Sequence, residues 1–187
     1  MPTVGVLALQ GDFREHLKVL TGLGCESRPV RTIRELDQVE ALIVPGGEST
    51  TIGKLVVRFG LLEPMRTRIE SGMPAYGTCA GMIFMAAAVT EGHQPLLGIL
   101  DVVVERNAFG RQNDSLEADL DIAGFDHAFR GIFIRAPWVA KTGAGVEVLA
   151  TIDGHTVMVR QGHVLASSFH PELAGDDRIH RMFIESI

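Results

Sequence analysis

The sequence predicts an α/β protein: a three-layer α/β/α sandwich with a mixed, mainly parallel sheet. Short apolar runs alternate with helical patterns in the first half of the chain, which is typical of a parallel sheet covered on both faces. The second half holds mostly strand-like segments separated by turns. The 187 residues are 46% hydrophobic and 21% charged, as in ordinary globular domains. No linker, repeat or low-complexity tract interrupts them, so we expect one domain over residues 1–187.

The elements of the first half follow from apolar runs and from glycines that end helices. Val4–Leu9 is a short apolar run of the kind that forms a buried strand. The amphipathic stretch Phe13–Leu20 predicts a helix that Gly22 and Gly24 end. Two strands, two helices, a further strand and a further helix are then predicted in order, at Ser27–Val30, Ala41–Val44, Thr50–Phe59, Met65–Glu70, Ala75–Thr78 and Ala80–Val89.

The second half predicts strands that pair partly antiparallel. Asp153-Gly154 between two alternating runs is a hairpin signal. A closing helix is predicted over Asp176–Ile187. Six strands are expected before it, at Ile99–Glu105, Ser115–Ile122, Gly131–Ile134, Val146–Ile152, Thr156–Arg160 and Val164–Phe169.

Charge and cysteine content exclude several classes of function. The net charge of −6 argues against nucleic acid and against an anionic membrane surface as partners. Cys25 and Cys79 cannot form a disulfide framework, and no Cys/His cluster has metal-ligand spacing, so no metal is expected. The first residues lack the pattern of a signal peptide, and the longest apolar run, Met82–Val89, is too short to span a membrane. We expect a soluble, cytoplasmic protein.

A candidate nucleophile lies in the segment GTCAG at residues 77–81, between a predicted strand and a predicted helix. Glycines that flank the central residue permit the sharp turn of a nucleophile elbow. A helix N-terminus there would stabilise a thiolate at Cys79. A buried cysteine with only a structural role is the alternative, and we favour it for Cys25, which has no such surroundings. For Cys79 this motif alone leaves both interpretations open.

A candidate base lies in His170-Pro171-Glu172, directly after a predicted strand. Pro171 disfavours helical backbone at His170, and in extended backbone residues two apart point the same way. Glu172 would then orient the imidazole and stabilise its protonated form. The other six histidines have no carboxylate two residues on.

A candidate oxyanion hole follows the strand Ala41–Val44, at Gly46-Gly47. Glycine lets the backbone approach a reacting group and turn an N–H toward it. The amides of Gly47 and Ala80 would be the two donors. A plain strand-to-helix turn is the alternative for two glycines at this place.

Together these residues resemble class I, triad glutamine amidotransferases. Within that class, three further segments resemble the glutaminase subunit of pyridoxal 5′-phosphate synthase: residues 45–51 (PGGESTT), 106–112 (RNAFGRQ) and 133–137 (FIRAP). The similarity runs from Leu9-Gln10-Gly11 to the last helix and so covers nearly the whole chain.

The resemblance implies hydrolysis of L-glutamine to glutamate and ammonia without a cofactor. Cys79 would be the nucleophile, His170 the acid and base, and Glu172 the orienting carboxylate. The ammonia would pass to a separate ring-building synthase subunit in a hetero-oligomer, with Gln10 on the side that faces this partner. The glutamine contacts implied by the family are Gly46, Gly47, Glu48, Arg106, Ile134 and Arg135.

Two alternatives remain beside this function. One is a glutaminase that serves another synthase, such as that of the histidine or anthranilate pathway. The other is a non-catalytic redox sensor with an elbow cysteine, which would need no His170-x-Glu172 pair.

Overall fold

A computed structural model describes residues 2–110 and 115–187, and one large sheet organises them. Six α-helices lie in this part of the chain: α1 (Phe13–Gly22), α2 (Ile33–Leu36), α3 (Ser49–Arg58), α4 (Leu62–Glu70), α5 (Ala80–Met85) and α6 (Arg178–Ile184). The strands are β1 (Val4–Leu7), β2 (Ser27–Val30), β3 (Ala41–Val44), β4 (Ala75–Thr78), β5 (Ala86–Val89), β6 (Leu100–Glu105), β7 (Ser115–Leu120), β8 (Phe129–Ile134), β9 (Trp138–Thr142), β10 (Glu147–Ile152), β11 (His155–Gln161) and β12 (Val164–Ser167).

The sheet is mixed, and its parallel part joins the first four strands of the chain to the last one. Its order is β2-β1-β3-β4-β12-β11-β9-β6-β5, and β10 pairs with β11 beside this path. The five strands from β2 to β12 run parallel, while the pairs β12–β11, β11–β9 and β9–β6 are antiparallel. Strands β7 and β8 form a separate antiparallel pair.

Side chains alternate across the central strands and enter two different cores. In β3, Leu42 and Val44 belong to the core under α3, α4 and α5, whereas Ala41 and Ile43 belong to the core under α1 and α6. Two cores on opposite faces of one sheet are what a three-layer architecture requires. The predicted three-layer α/β/α fold with a mixed sheet is therefore confirmed.

One predicted helix is wrong in its second half. The helix predicted over Ala80–Val89 ends at Met85, and Ala86–Val89 is the edge strand β5, parallel to β6. Alanine favours helix, but the backbone turns extended at Ala86 (φ −63°, ψ 155°) because pairing with β6 overrides that propensity.

Two elements were not predicted. Strand β9 pairs with β6 and β11 in the sheet. Helix α2 begins with a capping box in which the Thr32 hydroxyl accepts from the Glu35 N–H and the Glu35 carboxylate accepts from the Thr32 N–H. The Thr-x-x-Glu spacing is a readable helix signal. Among the described residues, no helix has the length and apolar character needed to cross a membrane.

The carboxyl ends of neighbouring parallel strands bring distant segments together. The segments after β1, β3, β4 and β12 begin with residues 8, 45, 79 and 168 and meet at one edge of the sheet. Ligand sites of open α/β sheets lie at this edge.

Candidate active site

Cys79 lies on a tight turn between β4 and α5. Its backbone has φ 49° and ψ −104°, in the left-handed region that side chains rarely adopt. The Cys79 N–H donates to the Ser167 carbonyl at 2.8 Å, which fixes the turn to β12. A Cβ at Gly81 would overlap the Val44 carbonyl oxygen, and one at Gly77 would lie 2.7 Å from the Gly81 carbonyl carbon. The two glycines are required by close packing around a strained cysteine.

His170 and Glu172 form a buried pair at the end of β12. The His170 Nδ1 and the Glu172 Oε1 are 2.6 Å apart, and both residues are buried. The contact was expected from extended backbone, but Glu172 lies in a single turn of 3-10 helix over Pro171–Leu173. The backbone N–H of His170 donates to the Ile132 carbonyl at 2.8 Å, so β8 also holds the backbone of His170 in place.

The charged form of His170 is favoured by its two neighbours. Burial alone would lower the pKa of His170, but hydrogen bonds and charge interactions with Cys79 and Glu172 outweigh it and raise the pKa to about 10. The ring is therefore an imidazolium at neutral pH. A cation beside a cysteine sulfur is a feature of the environments in which cysteines act as nucleophiles.

Asp12 is a further acidic neighbour of His170 that the sequence analysis did not identify. Its Oδ2 lies 3.5 Å from the His170 Nδ1, and its side chain is 43% exposed. Asp12, His170 and Glu172 place three potential metal-ligand atoms within 4.8 Å of one another. Two of these atoms are joined in the His170–Glu172 hydrogen bond, which accounts for the cluster.

The glycine pair after β3 lies directly against His170 and against Gln10. A Cβ at Gly46 would lie 3.1 Å from the His170 Nδ1, and one at Gly47 (φ 155°) would overlap the Gln10 Oε1. The Gln10 Oε1 accepts from the Glu48 N–H at 2.9 Å. The segment that holds the expected oxyanion donor is thus fastened to the chain after β1.

The Glu48 carboxylate caps helix α3. It accepts from the Thr50 N–H at 3.1 Å and from the Thr51 N–H at 2.8 Å, and the Thr51 hydroxyl donates to it at 2.6 Å. Burial would raise the pKa of Glu48, but these hydrogen bonds outweigh it and lower the pKa below its usual range. The carboxylate stays ionised at the edge of the cleft.

An open cleft of about 500 Å³ lies above these residues. Most of the predicted site residues line it: Gln10, Gly47, Glu48, Cys79, Ala80, Arg106, Ile134, Arg135 and His170. Gly46 and Glu172 lie behind the His170 ring and not on the wall. Clefts of this size hold small polar molecules.

The sequence matches the model of the SNO glutamine amidotransferase family over residues 6–187. The chain belongs to this family. It is 54% identical to "Pyridoxal 5′-phosphate synthase subunit PdxT" of Streptomyces coelicolor, over 100% of this chain and 94% of the relative. The protein of that name from Mycolicibacterium vanbaalenii is also 54% identical, over 100% and 98%.

Solved structures agree with the family. A crystal structure of a glutamine amidotransferase is 55% identical, with a TM-score of 0.94 over 98% of this chain and 97% of that chain. The PurLQS structure from Thermotoga maritima is 19% identical with a TM-score of 0.71, over 100% of this chain and 97% of that chain. The latter likeness concerns the fold alone.

Two arginines of this glutamine amidotransferase lie at the rim of the cleft. The Arg106 guanidinium donates to the Gln94 Oε1 at 3.1 Å. Arg135 has φ 43°, a strained backbone conformation of the kind concentrated at functional sites. The Cys79 Sγ is 3.9 Å from the Ile134 carbonyl oxygen. The end of the predicted RNAFGRQ motif, Arg111-Gln112, lies outside the described residues.

Sequence analysis of the amidotransferase also missed two buried histidines behind Glu172. His16 of α1 and His180 of α6 are both fully buried. The search for a carboxylate two residues after each histidine could not identify His16 and His180, because their partners come from other elements. Helical spacing does place His16 on the face of α1 that carries the buried Leu20.

Proposed function

We propose that this amidotransferase hydrolyses L-glutamine to L-glutamate and ammonia in the cleft, within one glutaminase domain over residues 1–187, and that the ammonia serves pyridoxal 5′-phosphate synthesis. The observation that carries the proposal is the order Cys79, His170, Glu172 from the cleft inward. A strained cysteine, a cationic imidazole and a buried carboxylate in that order suit nucleophilic catalysis at an amide.

In the first half-reaction the Cys79 thiolate attacks the side-chain amide carbon of glutamine. A carbon–sulfur bond forms, and the carbonyl electron pair moves to oxygen, where the amides of Gly47 and Ala80 donate to the oxyanion. His170 gives its proton to the amide nitrogen, the carbon–nitrogen bond breaks, and ammonia leaves a thioester behind.

In the second half-reaction water attacks the thioester. His170, now neutral, takes a proton from the water, and the same two amides hold the second oxyanion. Collapse of this intermediate breaks the carbon–sulfur bond, releases glutamate and restores the thiolate beside an imidazolium.

Substrate binding follows from the charges of free glutamine. Its α-carboxylate calls for a cation, which Arg106 or Arg135 supplies. Its α-ammonium calls for an anion or a carbonyl, which Glu48 and the Ile134 carbonyl supply. Gly47 lines the cleft beside the reacting amide, and the Gly46-Gly47 backbone packs against His170 and Gln10 so closely that side chains there would clash.

A separate ring-building synthase subunit is the proposed acceptor of the ammonia, in a hetero-oligomer that forms in the cytoplasm. Relatives over half identical are synthase subunits by name, which favours this route over the histidine or anthranilate pathways. Gln10 would lie on the side that faces the partner. A redox sensor would need no buried Glu172 behind the histidine.

The test is an ammonia-release assay on the purified chain, alone and with a pyridoxal 5′-phosphate synthase ring-building subunit. We expect L-glutamine to be hydrolysed in the presence of the partner, and D-glutamine to serve as the matched inactive substrate. No ammonia from L-glutamine under either condition would overturn the proposal.

A further inference from the structure

A chain of buried polar groups continues inward from the catalytic carboxylate. The Glu172 Oε1 faces His170, and its Oε2 turns away toward His16, whose Nε2 is 3.5 Å distant. The side chains of His16 and Glu172 are both 0% exposed. This Oε2 is buried, and it has no hydrogen-bond partner in the part of the chain that the structure describes. A buried carboxylate oxygen without a facing donor is costly.

The His16 ring also contacts two other polar groups. Its Nε2 is 3.1 Å from the Thr78 hydroxyl, next to Cys79, and its Nδ1 is 2.9 Å from the His180 Nε2. Helix α1, helix α6 and the end of β4 thus converge on the turn that carries Glu172. The nitrogens that could donate depend on the tautomers of the two rings.

One pair of tautomers fits these contacts. One proton lies between His16 Nδ1 and His180 Nε2, which are 2.9 Å apart. Two protons there would clash, and without a proton the two nitrogen lone pairs would repel each other. If His16 held it, its Nε2 lone pair would face the Glu172 carboxylate, and the His180 Nδ1–H would be buried without a described partner. If His180 holds it, the His16 Nε2–H points at Thr78 and Glu172. The second arrangement leaves only an acceptor unpaired, which costs less.

Both rings are neutral in this arrangement. Burial is the main cause that holds the pKa of His16 well below its usual range, and electrostatic interactions with His180 and His170 lower it further. Burial lowers the pKa of His180 to about 4, against the smaller opposing effect of Asp177. A neutral ring turns its Nε2–H toward the Glu172 Oε2 at 3.5 Å and brings no second positive charge that would compete with His170 for the carboxylate.

We propose that neutral His16, in the Nε2–H tautomer set by His180, is a positioning residue that orients Glu172 and through it His170. This inference rests on the proposed glutaminase function. His16 touches neither the cleft nor the reacting atoms. It prevents rotation of the carboxylate, so that Oε1 stays 2.6 Å from the His170 Nδ1.

The first test is kinetic. His16→Leu removes the N–H that faces the carboxylate at similar volume, and we expect kcat to fall on the order of 10-fold or more, as for loss of a polar contact to a buried charged group, with little change in KM. His16→Gln offers a side-chain N–H and should recover most of the loss. His127→Leu, at an exposed histidine, is the matched control and should be silent.

A double-mutant cycle distinguishes positioning from general structure. In a Glu172→Gln background, His16→Leu should cause little further loss of kcat, because the group it acts through is already altered. Multiplicative losses, or no loss from His16→Leu in a folded, active protein, would overturn the proposal. A wild type that releases no ammonia would instead overturn the proposed function.

Nitrogen NMR of the imidazole rings tests the tautomer in the unmutated protein, whether or not the variants fold. We expect His16 to show a protonated Nε2 and a bare Nδ1, and to stay neutral as the pH falls below the usual histidine range. A proton on the His16 Nδ1, or a cationic His16 at neutral pH, would overturn the inference.

Discussion

At the residue scale, Cys79 and the residues around it divide into those that a linear pattern reveals and those that it does not. GTCAG and His-Pro-Glu are local in sequence, so each was readable as a motif, and their joint occurrence and the family resemblance predicted that Cys79, His170 and Glu172 belong together. Asp12 and His16 reach the same place from the start of the chain, through α1 and the turn before it. Only the packing of α1 on the sheet brings them there, so short-range patterns could not predict them.

Replacement of the nucleophile should abolish hydrolysis without unfolding the protein. Cys79→Ala leaves no thiolate to attack the amide, while alanine suits the volume of the turn. Ammonia release should fall to background with the circular dichroism spectrum unchanged. Cys25→Ala is the matched control, because Cys25 packs in the core under α1 and α6, does not line the cleft, and has the Pro2 and Glu26 carbonyls as hydrogen-bond partners of its Sγ. Equal losses in both variants would mean that the wrong thiol was identified.

Replacement of Glu172 should damage the reaction less than replacement of His170. His170→Asn removes the proton carrier and should cost about as much as loss of Cys79, since residues that act as one unit are not additive. Glu172→Gln keeps the imidazole but removes the charge that favours its protonated form, so the pKa of His170 should fall. Steady-state kinetics across pH measures both effects. Full activity of Glu172→Gln at every pH would exclude its orienting role.

At the scale of elements, burial on both sheet faces made the central strands predictable. Strands β3 and β4 begin and end at the predicted residues, and all four residues of each strand are buried. The edge strand β5 was not predicted, since three alanines and a valine carry no strand pattern and depend on β6 for their conformation. Local sequence predicts a strand well where the strand is buried on both faces. It predicts a strand poorly where pairing with a neighbouring strand determines the backbone conformation.

The contact between helix α5 and strand β3 should tolerate no added methyl group. A Cβ at Gly81 meets the Val44 carbonyl oxygen, a backbone atom that cannot move aside. Gly81→Ala should lower the free energy of unfolding by about 1–3 kcal/mol and displace Cys79, with loss of activity. Urea denaturation measures the change in the free energy of unfolding.

Gly22, in α1, provides the control for that substitution. No atom lies within 4 Å of a Cβ built there. Gly22→Ala should therefore raise stability by roughly 0.5–1 kcal/mol, because alanine loses less backbone entropy in a helix. Equal stability of the two variants would contradict the packing argument.

At the scale of the whole molecule, the buried histidines make stability depend on pH in the acid range. The pKa of His180 is about 4 in the fold and about 6.5 when unfolded, so between these values the unfolded chain binds more protons. Stability is thus complete above the unfolded pKa and is lost as pH falls. His180 alone should account for roughly 2 kcal/mol between about pH 7.5 and about pH 5.

Denaturation at several pH values checks this loss. His180→Gln should show a shallower decline over the same range, since its side chain does not titrate. His170 acts in the opposite direction: its raised pKa adds stability that is complete below the unfolded value and disappears as pH rises toward 10. A decline in His180→Gln as steep as that of the wild type would contradict the assignment.

The synthase subunit should raise kcat by completing the oxyanion hole. A flip of the peptide between Gly46 and Gly47 would break the 2.9 Å hydrogen bond from the Asp12 N–H to the Gly46 carbonyl and would remove one oxyanion donor, a loss of roughly 10²–10³ in rate. Gln10 lies against Gly47 and accepts from the Glu48 N–H. A partner that binds on this side and moves Gln10 would therefore also move the Gly47 backbone. Steady-state kinetics with and without the partner measures the effect. Equal kcat in both conditions would mean that the hole is already formed in the free chain.

The position of β12 in the sheet has a consequence for synthesis on the ribosome. This strand lies between β4 and β11, yet it follows every other described strand in the chain. Until it is made, β4 keeps an open edge that can pair with other chains, and long-range pairing of this kind is slow. The thiol of Cys79 also has no base until residue 170 has emerged and folded. With the roles proposed for Cys79 and His170, a nascent chain would carry an inactive cysteine, and glutamine would be consumed only by molecules whose central strand is in place.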